Sequence, residues 1–351
     1  MSDNLNRPPP EEIILYEKDP KTKIATITLN RPGHLNAPTI AARQRYAKLV
    51  QQANVDDEVK VLVIRGVGDN FGSGGDLPEQ SELFSSNQDS SLLHEFEIPE
   101  EADVKYPPKD SYRYLSTLVH HYATTASGMR SLQEFKKISI VEAKGYCYGW
   151  HFYQAADADL VVCSDETLFG HSAWRYAGWA ARMWQWALMM GLRKFQEMVF
   201  TGRPFTAKEM YECHFVNSVV PRDQLEAETH KYALACSRSR PTDTVMMQKT
   251  FFEVFKQNQG EYMGSVLAAW LESLLPMVKS DGELELGDDT FDKGLNNAVK
   301  DNDELFPEDW RLSKRSRKTV PDPEAEEITQ LRSQLAAMQE QLKALEARLG
   351  S

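Results

Sequence analysis

The stretch that decides the fold runs Val61-Leu62-Val63-Ile64-Arg65-Gly66 and, past Val67-Gly68-Asp69-Asn70, continues as Phe71-Gly72-Ser73-Gly74-Gly75-Asp76-Leu77. Uninterrupted aliphatic residues read as a strand buried on both faces, the kind that parallel sheets contain. The glycines that follow let the backbone approach a ligand and turn its N–H groups outward. The loop holds neither Gly-Lys-Ser/Thr nor G-x-G-x-x-G, which excludes the P-loop and the dinucleotide fingerprint. Upstream, Tyr46, Leu49, Val50 and Ala53 recur at helical spacing within 40–55. Further back, IILYEK and KIATITL are split by Asp19-Pro20-Lys21-Thr22 and read as a hairpin over 13–29. Downstream the rhythm returns: ISIVEAKG, a helix over 151–157, then DLVVC at 159–163. Strands alternating with helices predict an α/β fold with right-handed crossovers.

Composition narrows the class. The chain has 351 residues, is 41% apolar and carries a net charge of −12, with a pI near 5.3. That balance points away from nucleic acid and from an anionic membrane as partners. Cys147, Cys163, Cys213 and Cys236 form no CxxC pair and no metal-ligand spacing, so they read as free thiols. No apolar run reaches transmembrane length, and MSDNLNRPPPEE lacks the pattern of a signal peptide, so a cytoplasmic protein is expected.

Several segments depart from the α/β rhythm. Residues 1–11 are polar, proline-rich and expected to be disordered. A long polar insertion, about 80–125, holds His120 and His121 and has the length of a lid or binding loop. After a charged linker at 313–323, Ile328, Leu331, Leu335, Met338, Leu342, Leu345 and Leu349 recur at alternating three- and four-residue steps. That is a coiled-coil seam over 324–350 and predicts a self-association helix.

Two further motifs carry chemistry. Asn30-Arg31-Pro32-Gly33-His34-Leu35-Asn36-Ala37 follows a strand and reads on its own as a turn. Gly145-Tyr146-Cys147-Tyr148-Gly149-Trp150 follows a strand and opens a helix, whose first N–H groups lack intrahelical acceptors. Two donor sites on different strand ends suit an oxyanion, where each donor contributes roughly 3–4 kcal/mol to the developing charge.

In order and separation these motifs resemble those of the crotonase (enoyl-CoA hydratase/isomerase) superfamily: NRPxxLNA, F-x-[AS]-G-x-D-L, G-Y-x-x-G, then Phe169-Gly170 and a TGRPFTAKE turn. The resemblance covers roughly residues 12–300. It implies a spiral of ββα units over 12–235 and a trimerising helical region over 236–312. It further implies an acyl-CoA substrate, and no metal or cofactor beyond the coenzyme A of that substrate. A homotrimer or dimer of trimers is implied too, with the heptad helix as an added contact. By position, Ser73 and Trp150 supply the oxyanion N–H groups. His34, Leu35, Ala37, Gly74, Asp76, Leu77 and Tyr148 lie along the CoA or acyl chain, as do Phe291 and Lys293 near the C-terminus.

The departures limit what the resemblance implies. The two glutamates of the family's hydratases fall at Tyr153 and Ala173, so both acid/base carboxylates are missing. In place of carboxylates the same region offers His151, Tyr153, His171, Arg175 and Tyr176, with Glu79 past the first glycine loop. His171 reads either as a water-activating base or as a hydrogen-bonded structural histidine. Tyr153 is a general acid or a packing residue, Glu79 a base or a solvated loop carboxylate, and His151 a thioester contact or a structural group. Trp150 and Trp174 are the tryptophans placed to line an acyl pocket. Three activities stay open: an atypical hydratase or lyase, a carbon–carbon bond hydrolase acting on cyclic β-keto substrates, and a non-catalytic scaffold.

Overall fold

The computed structural model describes residues 7–79, 105, 107–108, 111–123, 128–175, 184–274, 294–317, 331, 334–335 and 338–339. Of the start expected to be disordered, residues 1–6 lie outside the described residues, whereas Pro10 and Glu11 open a helical turn because Pro at the first helical position is preset for it. Most of the insertion, Phe291, Lys293 and most of the heptad segment also lie outside the described residues. Leu331, Leu335 and Met338 are helical and exposed. The chain divides into two compact units, Met1–Lys300 and Asp301–Ser351. In the second, the buried Asp303 carboxylate accepts the Leu312 N–H at 2.7 Å and the Ser313 N–H at 3.3 Å, which fastens the turn after the last short helix.

The first unit is built on a six-stranded sheet in the order β1-β2-β3-β4-β6-β9. After a helical turn α1 (Pro10–Ile13), β1 (Ile14–Asp19) and β2 (Ile24–Leu29) form the predicted antiparallel hairpin. Helix α2 (Ile40–Val55) then crosses to β3 (Val61–Gly66), parallel to β2. Helix α3 (Tyr112–Ala123) precedes β4 (Ile138–Ala143), which is parallel to β3. A three-residue β5 (Tyr146–Tyr148) leads into α4 (Trp150–Asp157), β6 (Leu160–Ser164) and β7 (Leu168–Gly170). Helices α5 (Trp184–Met190) and α6 (Leu192–Thr201), β8 (Phe205–Thr206), α7 (Ala207–Glu212) and β9 (Ser218–Val220) follow. The C-terminal helices are α8 (Leu225–Ser239), α9 (Thr242–Asn258), α10 (Glu261–Leu274) and α11 (Leu295–Glu304).

Alternation along β3 explains how one apolar run serves two cores. Leu62 and Ile64 join the large cluster with α2 and α4, while Val61 and Val63 pack with Ile140, Val162 and Leu225 under α8. Period-two geometry sends successive side chains to opposite faces, so a strand covered on both sides must be apolar throughout.

A second, three-stranded sheet of β5, β7 and β8 escaped the sequence reading. Its strands have two or three residues each, too few to show a period. It matters because it aligns the loops of the site. Gly72 pairs with Cys147 as an isolated parallel bridge, donating to the Tyr146 carbonyl at 2.7 Å and accepting from Tyr148 N–H at 3.0 Å. The Gly149 N–H reaches the Gly170 carbonyl at 3.0 Å. Three strand ends are thereby held in register around Gly149.

Candidate active site

Two buried polar side chains shape the first loop. Arg31 (Nη1) meets the Asp76 carboxylate at 2.5 Å and donates to the Ala37 carbonyl at 3.0 Å, both ionic groups being almost fully buried. Asn36 accepts the Arg31 N–H at 2.9 Å and donates to the Val67 and Asn70 carbonyls at 2.9 and 2.8 Å. Arg31, Asn36 and Asp76 thus bind the two motif loops to each other. Asp76, expected along the CoA, is turned into this ion pair, and an unpaired buried charge would be far more costly.

Ser73 corrects the expectation for the first oxyanion donor. Its N–H is donated to the Leu35 carbonyl at 3.0 Å. The Gly74 N–H goes to His151 Nδ1 at 3.1 Å and the Asp76 N–H to the Pro38 carbonyl at 3.2 Å. Within Ser73–Asp76, Gly75 is left as the residue whose N–H meets no acceptor among the described residues. No residue-type pattern separates neighbouring amides in FGSGGD, so only the fold could reveal this.

The second turn behaves as anticipated in its backbone. Gly149 sits at φ 55°, ψ −120°, a conformation that excludes a side chain at little cost only for glycine, and α4 starts immediately after it. The Trp150 N–H belongs to the first helical turn and has no intrahelical acceptor. A Cβ built on Gly74 would stand 4.0 Å from that nitrogen and 3.7 Å from the Gly149 Cα, so the two glycine loops touch. The Trp150 side chain departs from expectation. Its indole donates to the Gly128 carbonyl at 2.7 Å and packs edge-on to Tyr46, anchoring α4 in the core instead of lining a pocket.

The side chains expected to do acid/base work divide sharply. Tyr153 Oη and His171 Nε2 lie 3.2 Å apart, and the ring centroids 5.3 Å apart. His171 Nδ1 is sealed from solvent and would lie 3.7 Å from a Cβ on Gly149, which puts this pair beside the Gly149 turn. Desolvation lowers the His171 pKa to about 4, so the ring is neutral at ordinary pH. Trp174 stacks edge-on against His171 at 5.1 Å and against Phe195 at 5.8 Å. Glu79 is drawn elsewhere: its carboxylate accepts the Ile40 N–H at 2.8 Å at the start of α2, and burial raises its pKa. This is a helix cap.

His151 is fully buried, which favours the structural of its two readings, and desolvation lowers its pKa to about 3. Tyr148 is buried against Tyr146. His34 ends the turn at Pro32–His34 and Leu35 follows it, both exposed; Ala37 is buried, and Leu77 is half-buried at a helical turn.

One element of the site had no signal in the sequence. Arg130 and Asp157, both fully buried, form a bidentate ion pair, with Nε to Oδ2 at 2.5 Å. The guanidinium lies 4.8 Å from the Trp186 ring centroid and 5.7 Å from that of Tyr153. The partners are 27 residues apart on different elements, so no spacing pattern could pair them.

Comparison with known proteins places this geometry in a family. Models described as enoyl-CoA hydratase/isomerase match residues 24–105 and 119–266, which together make up more than half of the chain. The chain belongs to the enoyl-CoA hydratase/isomerase family. It is 26% identical over 226 residues to the mevalonyl-coenzyme A hydratase of Aspergillus fumigatus, covering 63% of this chain and 72% of that one. It is likewise 26% identical over 234 residues to a putative enoyl-CoA hydratase of Mycobacterium tuberculosis, covering 65% and 69%. In fold it resembles an enoyl-CoA hydratase/isomerase from Xanthobacter autotrophicus Py2, with a TM-score of 0.68 at 21% identity over 84% of this chain and 98% of that one. At the level of the family, this crotonase-superfamily member is an enzyme of CoA thioesters. Among the described residues, no helix is long and apolar enough to cross a membrane.

Proposed function

We propose that the protein is an atypical hydratase or lyase that binds an acyl-CoA with its thioester oxygen between the Gly75 and Trp150 N–H groups. The Tyr153–His171 dyad takes the place of the family's paired glutamates. The observation that carries this reading is the 3.2 Å contact between Tyr153 Oη and His171 Nε2, beside the Gly149 turn. Tyr153 stands at one of the two glutamate positions, and its neutral histidine partner can accept a proton.

In the hydration direction, a water oxygen bonds to Cβ of the enoyl group. Its proton passes to the Tyr153 oxygen as the Tyr153 proton passes to His171 Nε2. The electron pair of the Cα=Cβ bond moves onto the thioester oxygen, where the two backbone donors hold it. The proton then returns from His171 through Tyr153 to Cα, giving a 3-hydroxyacyl-CoA and restoring the dyad.

A turnover screen tests the assignment. Enoyl-CoAs run against cyclic β-keto acyl-CoAs should be hydrated, with Tyr153→Phe and His171→Ala both impaired. Ring opening of the β-keto substrates in place of hydration would reassign the site as a carbon–carbon bond hydrolase. Failure to bind any CoA thioester would leave only a scaffold.

A further inference from the structure

His151 is buried, polar and unused by the chemistry above, and its surroundings give it a role. It is the second residue of α4, directly after the Trp150 donor, yet its Nδ1 accepts the N–H of Gly74, directly before the Gly75 donor. The imidazole fills space that Gly72 leaves open. A Cβ on Gly72 would stand 2.0 Å from Nε2 and 2.1 Å from Cε1, so the histidine and the missing side chain depend on each other. The Phe71 ring closes the other side edge-on, with centroids 5.2 Å apart.

We infer that His151 is a positioning residue, clamping the first glycine loop to the second so that the Gly75 and Trp150 N–H groups face one thioester oxygen. Accepting at Nδ1 has a second effect: it removes the Gly74 N–H as a competing donor. A glycine loop without such a clamp has many conformations of similar energy, and an oxyanion site works through donors already aimed. The inference rests on the reading of Gly75 and Trp150 as the oxyanion donors.

The test uses acetoacetyl-CoA, whose enolate absorbs in the near ultraviolet, alongside saturated butanoyl-CoA as a measure of plain thioester binding. His151→Leu keeps the volume and loses the acceptor. His151→Asn is smaller but presents Oδ1 near the position of Nδ1. The bound enolate should fall roughly ten- to hundredfold in His151→Leu. It should stay within about threefold of wild type in His151→Asn, with butanoyl-CoA affinity alike in all three. Equal behaviour of the two variants overturns the inference. A wild type that ionises no acetoacetyl-CoA overturns the site reading and the inference with it. A second measurement needs no CoA: Gly72→Ala should lower the melting temperature, and adding His151→Gly should restore it. A Gly72→Ala protein as stable as wild type also overturns the clamp.

Discussion

Tyr153 and His171 stand 18 residues apart in the chain and meet through a 3.2 Å hydrogen bond, one from α4 and the other from the loop after β7. In the proposed reaction they act as one proton-handling unit. Tyr153→Phe and His171→Ala should each lower kcat by about 10²- to 10⁴-fold with KM little changed. The double variant should be no worse than the poorer single one, because removing either partner breaks the same relay. Steady-state kinetics of the three variants decide this.

Burial holds both site histidines neutral, and the sign of the pH dependence follows. His171 at about 4 and His151 at about 3 bind fewer protons folded than unfolded, where the ordinary value is 6.5. The stability they contribute is fully present above about pH 6.5 and is lost as pH falls toward 4. Denaturant midpoints should therefore decline across that window, and His171→Asn should flatten the slope. The acid limb of the rate profile should lie near pH 4 instead of 6.5.

Arg130 and Asp157 are fully buried and stacked beneath Trp186 and Tyr153. Arg130→Met removes the guanidinium that faces a fully buried carboxylate and should cost roughly 3–5 kcal/mol. Adding Asp157→Leu should recover most of that loss. Equilibrium denaturation of the single and double variants measures both values.

Much of what reaches the site was legible in the sequence. VLVIRG and the 40–55 helix were read correctly because long periodic or uniformly apolar segments leave one option. The turn and helix start at Gly149 and Trp150 are legible because glycines there separate an apolar strand from a helical run, while a donor role for Trp150 is implied only by the family resemblance. The rest depended on tertiary contacts. Which amide of FGSGGD stays open is decided by where the Leu35 carbonyl and His151 fall. Glu79 reads in sequence as a base or a solvated loop carboxylate, and only the fold brings it to the Ile40 N–H at the start of α2. Asp76 needed Arg31, and Arg130 needed Asp157, each pair distant in sequence.

The last helices of the first unit leave large apolar side chains in solvent, among them Phe251, Phe252, Phe255, Tyr262 and Met263. Apolar side chains gathered this densely on consecutive helices suit association with further copies of the chain. Sedimentation should show a trimer or larger, and Phe251→Asp with Phe255→Asp should shift it toward monomer.

The most direct test of the central claim is exchange of the α-protons of butanoyl-CoA with D2O, followed by NMR. Exchange reports the enolate itself, independent of what the enzyme later adds or cleaves. Wild-type protein should catalyse it, and Tyr153→Phe should slow it by at least about 10²-fold at equal thioester affinity. Tight thioester binding without exchange, or exchange untouched in both Tyr153→Phe and His171→Ala, would contradict the account.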